Sequence, residues 1–295
     1  MKIVSAVLFY LLLPFIYLIS LLPLPVLYLL SDLFYFIIYR LAGYRKNVVI
    51  PNLRNAFPEK TDAEIKAIAR QFYHHLCDLF FETLKILTMS RKAMLKHCYF
   101  SADAQALYDK LAAEGKSIIM VMGHVGNWEW AGQSFSLQCR QQLYVLYHPL
   151  SNKNANNFVK SIRQRFGTRT IAMRSAYKEM LLHKGETNAT VFLADQTAFP
   201  DMGYWTTFLN QDTPVFKGTE TIAKKLGYPV VYAGIKKIKR GVYEMHSEML
   251  CENPKATKEG EISELHTRRL EQDIITQPYN WLWSHRRWKY EKPQA

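Results

Sequence analysis

Residues 3–22 read IVSAVLFYLLLPFIYLISLL, twenty positions without one charged side chain. A helix of that length is about enough to cross a hydrocarbon core of ~30 Å, and membrane helices tolerate a proline such as Pro14. A cleaved signal peptide is the competing explanation. Lys2 supplies a short positive flank, but the apolar run is too long and no Ala-x-Ala site follows it, so the segment reads as a retained anchor. Pro23 and Pro25 then interrupt the chain, and a second apolar stretch, 26–39, carries Asp32 inside it. Its tyrosines and basic rim favour a helix lying in the interface over the return leg of a hairpin or a buried core helix. Arg40, Arg45, Lys46 and Arg54 follow, which by the positive-inside rule keeps the rest of the chain on the cytoplasmic side. Two segments are expected: an anchor, 1–45, and a cytoplasmic-face body, 46–295.

The body has the composition of a folded domain. The 295-residue chain is 49% hydrophobic and 14% aromatic, which excludes disorder. A net charge of +13 suits nucleic acid, an anionic membrane or an acidic partner. Cys77, Cys98, Cys139 and Cys251 are far apart and form no Cys-x-x-Cys pair, so neither a zinc site nor a disulfide framework is expected. Residues 51–58 read as a loop, and Thr61 with Glu64 reads as a capping box opening a long helix. A helix over 101–114 ends at Gly115. From residue 117 onward, short apolar runs (117–122, 143–147, 170–173, 190–194, 229–236, 242–249) alternate with helical patterns, apart from a loop over 200–214. The expected fold is α/β, a central mixed sheet flanked by helices, with an N-terminal transmembrane or interfacial helical anchor.

One cluster carries chemistry. Gly123-His124-Val125-Gly126-Asn127-Trp128-Glu129 follows an expected strand and opens an expected helix, and open α/β sheets bind ligands at the carboxyl ends of their strands. A neutral histidine there can take a proton from a hydroxyl, and a carboxylate on its far nitrogen would fix the tautomer. Glu129 is the candidate carboxylate. Positions five apart on a helix do not share a face, so the pair meets only across a strand-to-helix turn, for which Gly123 and Gly126 provide the freedom. Backbone amides at the helix start are candidates for holding an oxyanion.

The block Gly-His-x-Gly-Asn-Trp-Glu resembles the active-site block of the late (secondary) lipid A acyltransferases, of the lauroyl and myristoyl type, within the lysophospholipid acyltransferase-like superfamily. Asn127-Trp128 resembles the lipid A branch more than the glycerolipid branch. Further blocks keep the family order: Asn52-Leu53-Arg54-Asn55-Ala56-Phe57-Pro58, Tyr147-His148-Pro149, Arg163-Gln164-Arg165-Phe166-Gly167, Leu193-Ala194-Asp195-Gln196, and Trp281-Leu282-Trp283-Ser284-His285-Arg286-Arg287-Trp288-Lys289. The resemblance implies His124 and Glu129 as catalytic residues, with Asn127, Trp128, Arg163, Arg165, Asp195, Gln196 and Arg286 toward substrate. Arg165 with Arg163 would bind a phosphate of an anionic lipid or of phosphopantetheine. Asp195 would orient Arg165 or a substrate hydroxyl, and Arg286 and Arg287 suit an anionic interface. One departure stands out: Phe208-Leu209-Asn210 replaces a frequent Phe-Phe-Gly.

By this resemblance the chain is a bacterial inner-membrane enzyme. It would move a fatty acyl group from acyl carrier protein to a hydroxyl of a lipid A precursor, without metal or other cofactor. Acyl carrier protein is acidic, which suits the basic surface. A relative acting on another membrane lipid is the nearest alternative. A non-catalytic membrane scaffold is the other; no nucleic-acid motif is present, and a scaffold would have no use for the His124/Glu129 pair.

Overall fold

The structure, a computed structural model, describes residues 2–293, with side chains from Phe9 onward. Met1, Gln294 and Ala295, at the ends of the two expected segments, and the side chains of 2–8 at the start of the apolar run lie outside the described residues. Two helices come first, α1 (Lys2–Leu21) and α2 (Leu24–Tyr35), the latter continuing through a π-helical stretch, Phe36–Leu41. Then follow α3 (Lys46–Ala56), α4 (Asp62–Lys85), α5 (Arg91–His97), β1 (Cys98–Phe100), α6 (Ala102–Ala113), β2 (Ile118–Met122), α7 (Trp128–Gln138), β3 (Gln142–Tyr147), α8 (Lys153–Gln164), β4 (Arg169–Ala172), α9 (Ala176–Leu182) and β5 (Asn188–Leu193). The chain closes with β6 (Gly203–Phe208), β7 (Gln211–Phe216), α10 (Gly218–Leu226), β8 (Val230–Lys239), β9 (Val242–Cys251) and α11 (Glu261–Thr276).

Seven strands form one sheet in the order β1-β9-β8-β2-β5-β3-β4. It is mixed as expected: β8 and β9 are antiparallel and every other pair is parallel. Helices cover both faces, so β2 at the centre is buried along its whole length. Ile119 and Val121 enter a core with Phe72, Tyr232, Leu270 and Trp283, whereas Ile118, Met120 and Met122 enter a second core with Tyr108, Trp130 and Phe135. The parallel neighbours β2 and β5 end level with each other, Met122 opposite Leu193, and this brings the loops after them together.

Two segments differ from the sequence expectation. Residues 51–58, read as a loop, belong mostly to α3. Pro51 breaks one backbone bond there, but Val48, Val49, Leu53 and Ala56 bury a continuous stripe, and that tertiary burial outweighs the proline. The expected loop over 200–214 contains the hairpin β6–β7. Its turn residues Leu209 and Asn210 have φ of 49° and 62°, as a two-residue primed turn requires. Asparagine is among the non-glycine residues that most readily adopt the positive φ found at Asn210. The capping box appears as read, with Thr61 accepting from the Glu64 amide and Glu64 accepting from Thr61 N–H at 2.8 Å.

The anchor helices are amphipathic with respect to the body. The continuous helix Leu24–Leu41 is long and apolar enough to cross a membrane, and among the described residues Phe9–Leu21 is a shorter apolar helix. Leu29, Leu33, Phe36, Ile37 and Leu41 are exposed on the former, and Leu11, Phe15, Leu18 and Leu21 on the latter. An apolar exposure of this extent marks a lipid-facing surface. The polar side of α2 is locked to α4 and the β8–β9 turn. Ser31 donates to Asp78 at 2.8 Å, and Arg240 joins Asp78 and Asp32 with Nη2 contacts of 2.6 and 2.7 Å. Tyr28 donates to Glu82 at 2.8 Å. The fully buried Glu82 also accepts from Tyr243 at 2.8 Å and from the Asn127 amide at 2.7 Å, and its own carbonyl accepts from Trp130 Nε1 at 2.8 Å.

Truncating Glu82 leaves three donors without an acceptor, two of them, Tyr243 and Asn127, buried. Glu82→Ala is expected to cost about 3 kcal/mol or more of stability, and Glu82→Gln clearly less. Denaturant melts of the detergent-solubilised chain measure both, and an alanine variant as stable as the parent would contradict the assignment.

Candidate active site

His124 lies in the turn between β2 and α7, at the carboxyl end of the central strand. The turn has little room. A Cβ on Gly123 would come within 2.6 Å of Leu270, and Gly126, at φ 60°, would meet Ile235 at 2.6 Å. Asn127 caps α7 by accepting from Trp130 N–H at 2.9 Å, and Gly126 N–H donates to Asn280 at 3.0 Å. From α4, His75 Nε2 is 3.2 Å from the Gly126 carbonyl while Lys237 Nζ is 3.2 Å from His75 Nδ1. Since the ammonium can only donate, Nδ1 accepts and Nε2–H donates to Gly126.

The carboxylate on His124 is Asp195. His124 Nδ1 is 2.7 Å from Asp195 Oδ1, and His124 backbone N–H donates to Oδ2 at 2.8 Å. Trp281 Nε1 donates to the same Oδ2 at 2.8 Å. Asp195 follows β5, so the level ends of β2 and β5 create the pair. An ionised carboxylate only accepts, so Nδ1 carries the proton and the basic lone pair sits on Nε2. Burial pushes the Asp195 carboxyl up, but the charge and hydrogen bonds of His124, with the Trp281 donor, more than offset this and hold it at about 2. Gln196 Nε2 lies 3.5 Å from His124 Nε2, at the limit of a hydrogen bond.

Glu129 is turned elsewhere. It sits in the first turn of α7 and is gripped by Arg163 of α8, with Nε 3.1 and 3.0 Å from its two oxygens and Nη2 2.5 Å from Oε1. Trp128 stands between, its ring edge-on to His124 with centroids 4.9 Å apart. Trp128, Glu129 and Arg163 border an apolar cavity of about 50 Å³ whose wall includes Phe100, Met120, Phe135 and Val191. Trp128 thus both meets the His124 ring and lines the apolar cavity. A model of the family described as bacterial lipid A biosynthesis acyltransferase matches residues 1–290.

The chain belongs to that family. It is therefore an enzyme of lipid A acyltransferase-type chemistry, and its apolar N-terminal helix associates it with the membrane. No curated protein matches it. Among the described residues no cluster of His, Cys, Asp or Glu is arranged to hold a metal ion.

The remaining expected residues of this acyltransferase fall in distinct places. Asn127 is fully buried, serving as cap and as donor to Glu82. Arg165 does not reach Asp195; it donates to the carbonyls of Ile86 and, at 3.1 Å, Met89. Arg286 is exposed, whereas Arg287 is 2% exposed and donates to the Pro214 carbonyl at 2.8 Å, its pKa pushed down to about 10 by burial. Residues that sequence reasoning missed are Trp281 and Glu82 as holders of the turn. Trp281 was visible only as part of a motif, and Glu82 sits among ordinary helix residues.

Because folding lowers the Asp195 carboxyl to about 2 from an ordinary 3.8, its contribution is present above pH 4 and lost as pH falls toward 2. That contribution is on the order of 2 kcal/mol, one pKa unit being ~1.4 kcal/mol. Asp195→Asn should flatten stability between pH 4 and 2, measured by denaturant midpoints. A variant retaining the parent's acid slope would contradict the assignment.

Proposed function

We propose that this chain transfers a fatty acyl group from acyl carrier protein to a hydroxyl of a lipid A precursor, on the cytoplasmic side of the bacterial inner membrane. The observation that carries the reading is the 2.7 Å contact between His124 Nδ1 and Asp195, made in a member of this family. With Nδ1–H held by a carboxylate, Nε2 takes the proton of the acceptor hydroxyl as its oxygen attacks the thioester carbonyl. The C–O bond forms and negative charge gathers on the carbonyl oxygen, where the amides of Trp128 and Glu129 at the start of α7 serve as donors. As the C–S bond breaks, the imidazolium returns its proton to the departing sulfur. Asp195 stabilises that imidazolium and remains ionised throughout.

Glu129 acts through Arg163 in this reading. A direct His124–Glu129 partnership would require the carboxylate to give up a bidentate guanidinium, among the stronger side-chain contacts. The pair instead fixes the polar border of the apolar slot, which takes the acyl chain. Gln196 lies near the base, and Arg286 faces an anionic part of a substrate. The +13 charge suits an acidic carrier protein. The exposed apolar sides of α1 and α2 seat the body against lipid.

In a purified, detergent-solubilised assay with acyl carrier protein carrying labelled acyl chains, His124→Ala should lower kcat by about 1,000-fold or more and Asp195→Asn by about 100-fold or more. Parent-like turnover in His124→Ala would remove the general base. Asp195→Asn turning over normally while Glu129→Gln is inactive would restore the His124–Glu129 pairing.

A second test concerns the slot. A Cβ at Gly132 meets nothing closer than Leu143 at 3.8 Å, so a longer side chain there grows into the cavity. Gly132→Leu should shift the preferred donor toward chains shorter by about two to four carbons, on the scale of ~0.8 kcal/mol per buried methylene. An unchanged chain-length profile would place the acyl chain elsewhere.

A further inference from the structure

An open cleft of about 350 Å³ lies beside the His124 turn, its wall carrying Arg45, Arg286 and Lys289 together with Thr197, His285 and Tyr290. No carboxylate lines it, and among the described residues none of the three cations is in an ion pair. Arg45 Nη1 donates to the Ser284 carbonyl at 2.9 Å, and Lys289 Nζ to the Tyr290 hydroxyl at 3.2 Å, so both keep further donors. Burial pushes the His285 pKa down; the charge of Asp195 pulls it up, and those of Arg287, His124 and Arg45 push it down.

The cleft is tied to the reacting centre. Thr197 follows Asp195 by two residues, and its hydroxyl donates to the Arg286 carbonyl at 2.8 Å while its backbone N–H donates to His285 Nε2 at 3.2 Å. The loop that carries Asp195 thus also fixes the C-terminal segment that bears Arg286 and Lys289. Arg45 arrives from the opposite direction, at the point where the chain leaves the anchor helices. The cleft therefore brings together the start of α3, the loop after β5 and the C-terminal segment.

Three converging cations without an anion repel one another, and guanidinium groups match the oxygens of a phosphoryl group in geometry and charge. We propose that Arg45, Arg286 and Lys289 form a phosphoryl-binding subsite which, on the reading above, fixes a phosphate-bearing substrate at a set distance from His124. A neighbouring cleft shares Arg286 and Lys289 but adds only Asn47, Val48, Pro51, Asn52 and Trp288, with no third cation, so the phosphoryl group belongs on the Arg45 side. Two sources present this chemistry: a phosphorylated lipid headgroup and the phosphodiester of a carrier-bound pantetheine arm.

The test begins with inorganic phosphate and the full chain in detergent micelles, followed by ³¹P line broadening. Saturable binding is expected in the parent and in His124→Ala, weakened by about 10-fold or more in Arg286→Ala/Lys289→Ala and by a smaller factor in Arg45→Gln. Lys178→Ala/Lys184→Ala, which removes two exposed charges elsewhere, should leave it unchanged. Equal weakening in that control, or no saturable binding in the parent, overturns the subsite. Because His124→Ala keeps phosphate binding while losing turnover, failure of the catalytic reading and failure of the subsite are separable. Steady-state kinetics of the Arg286/Lys289 variant then assign the source. A KM raised about 10-fold or more for the lipid acceptor, with kcat within about 3-fold, names the headgroup, and the same rise for the acyl carrier names the pantetheine phosphodiester. If neither KM moves, the subsite is overturned.

Discussion

A single carboxylate, that of Asp195, organises the carboxyl end of the sheet around His124. It gathers a backbone N–H, an imidazole N–H and an indole N–H, which come from the turn after β2 and from the C-terminal segment. A buried carboxylate left unsatisfied would cost several kcal/mol, so three segments distant in sequence must converge for this one to remain ionised. The same geometry selects one tautomer of His124 and leaves Nε2 as the basic nitrogen. Fold and chemistry therefore share one constraint: the parallel register that sets β2 level with β5.

Behind the turn, α4 does the corresponding work from the opposite side. His75 holds the Gly126 carbonyl and Glu82 holds the Asn127 amide, while Glu82 also receives Tyr28 from the anchor. The histidine turn is thus built between two buried acids, Asp195 on the side of the C-terminal segment and Glu82 on the side of α2. Burial pushes the Glu82 carboxyl up and the charge of Lys237 draws it down. Glu129, the acid nearest to His124 in sequence, is engaged by Arg163 at the edge of the apolar slot.

Much of this was legible in the sequence. Apolar runs bounded by helical patterns disclosed the α/β fold, because strands buried on both faces read as unbroken hydrophobic stretches. The turn Gly123–Asn127 disclosed itself through its glycines and its position after a strand. The partner of His124 was not legible, since local spacing favours Glu129 and only strand order makes β5 the neighbour of β2. Helix α3 was hidden by Pro51, whose local penalty is overridden by burial of Val48, Val49 and Leu53. The hairpin β6–β7 was hidden because its turn uses Leu209 and Asn210, without the glycine that signals such turns. Arg287 looked like its exposed neighbour Arg286 and is buried, which composition cannot reveal.

The Asp32–Arg240–Asp78 cluster, with Tyr28 on Glu82, reaches from the anchor into the body. Cutting the chain at residue 45 would not release an independent soluble half. It would strip Asp32 from Arg240 and expose the acids of α4 together with an apolar flank that now lies beneath α2. The first helices are in this sense a removable lid only on paper. They complete the polar packing of the body as much as they present an apolar surface, and the same ion pairs fix where that surface stands relative to α4 and the β8–β9 turn.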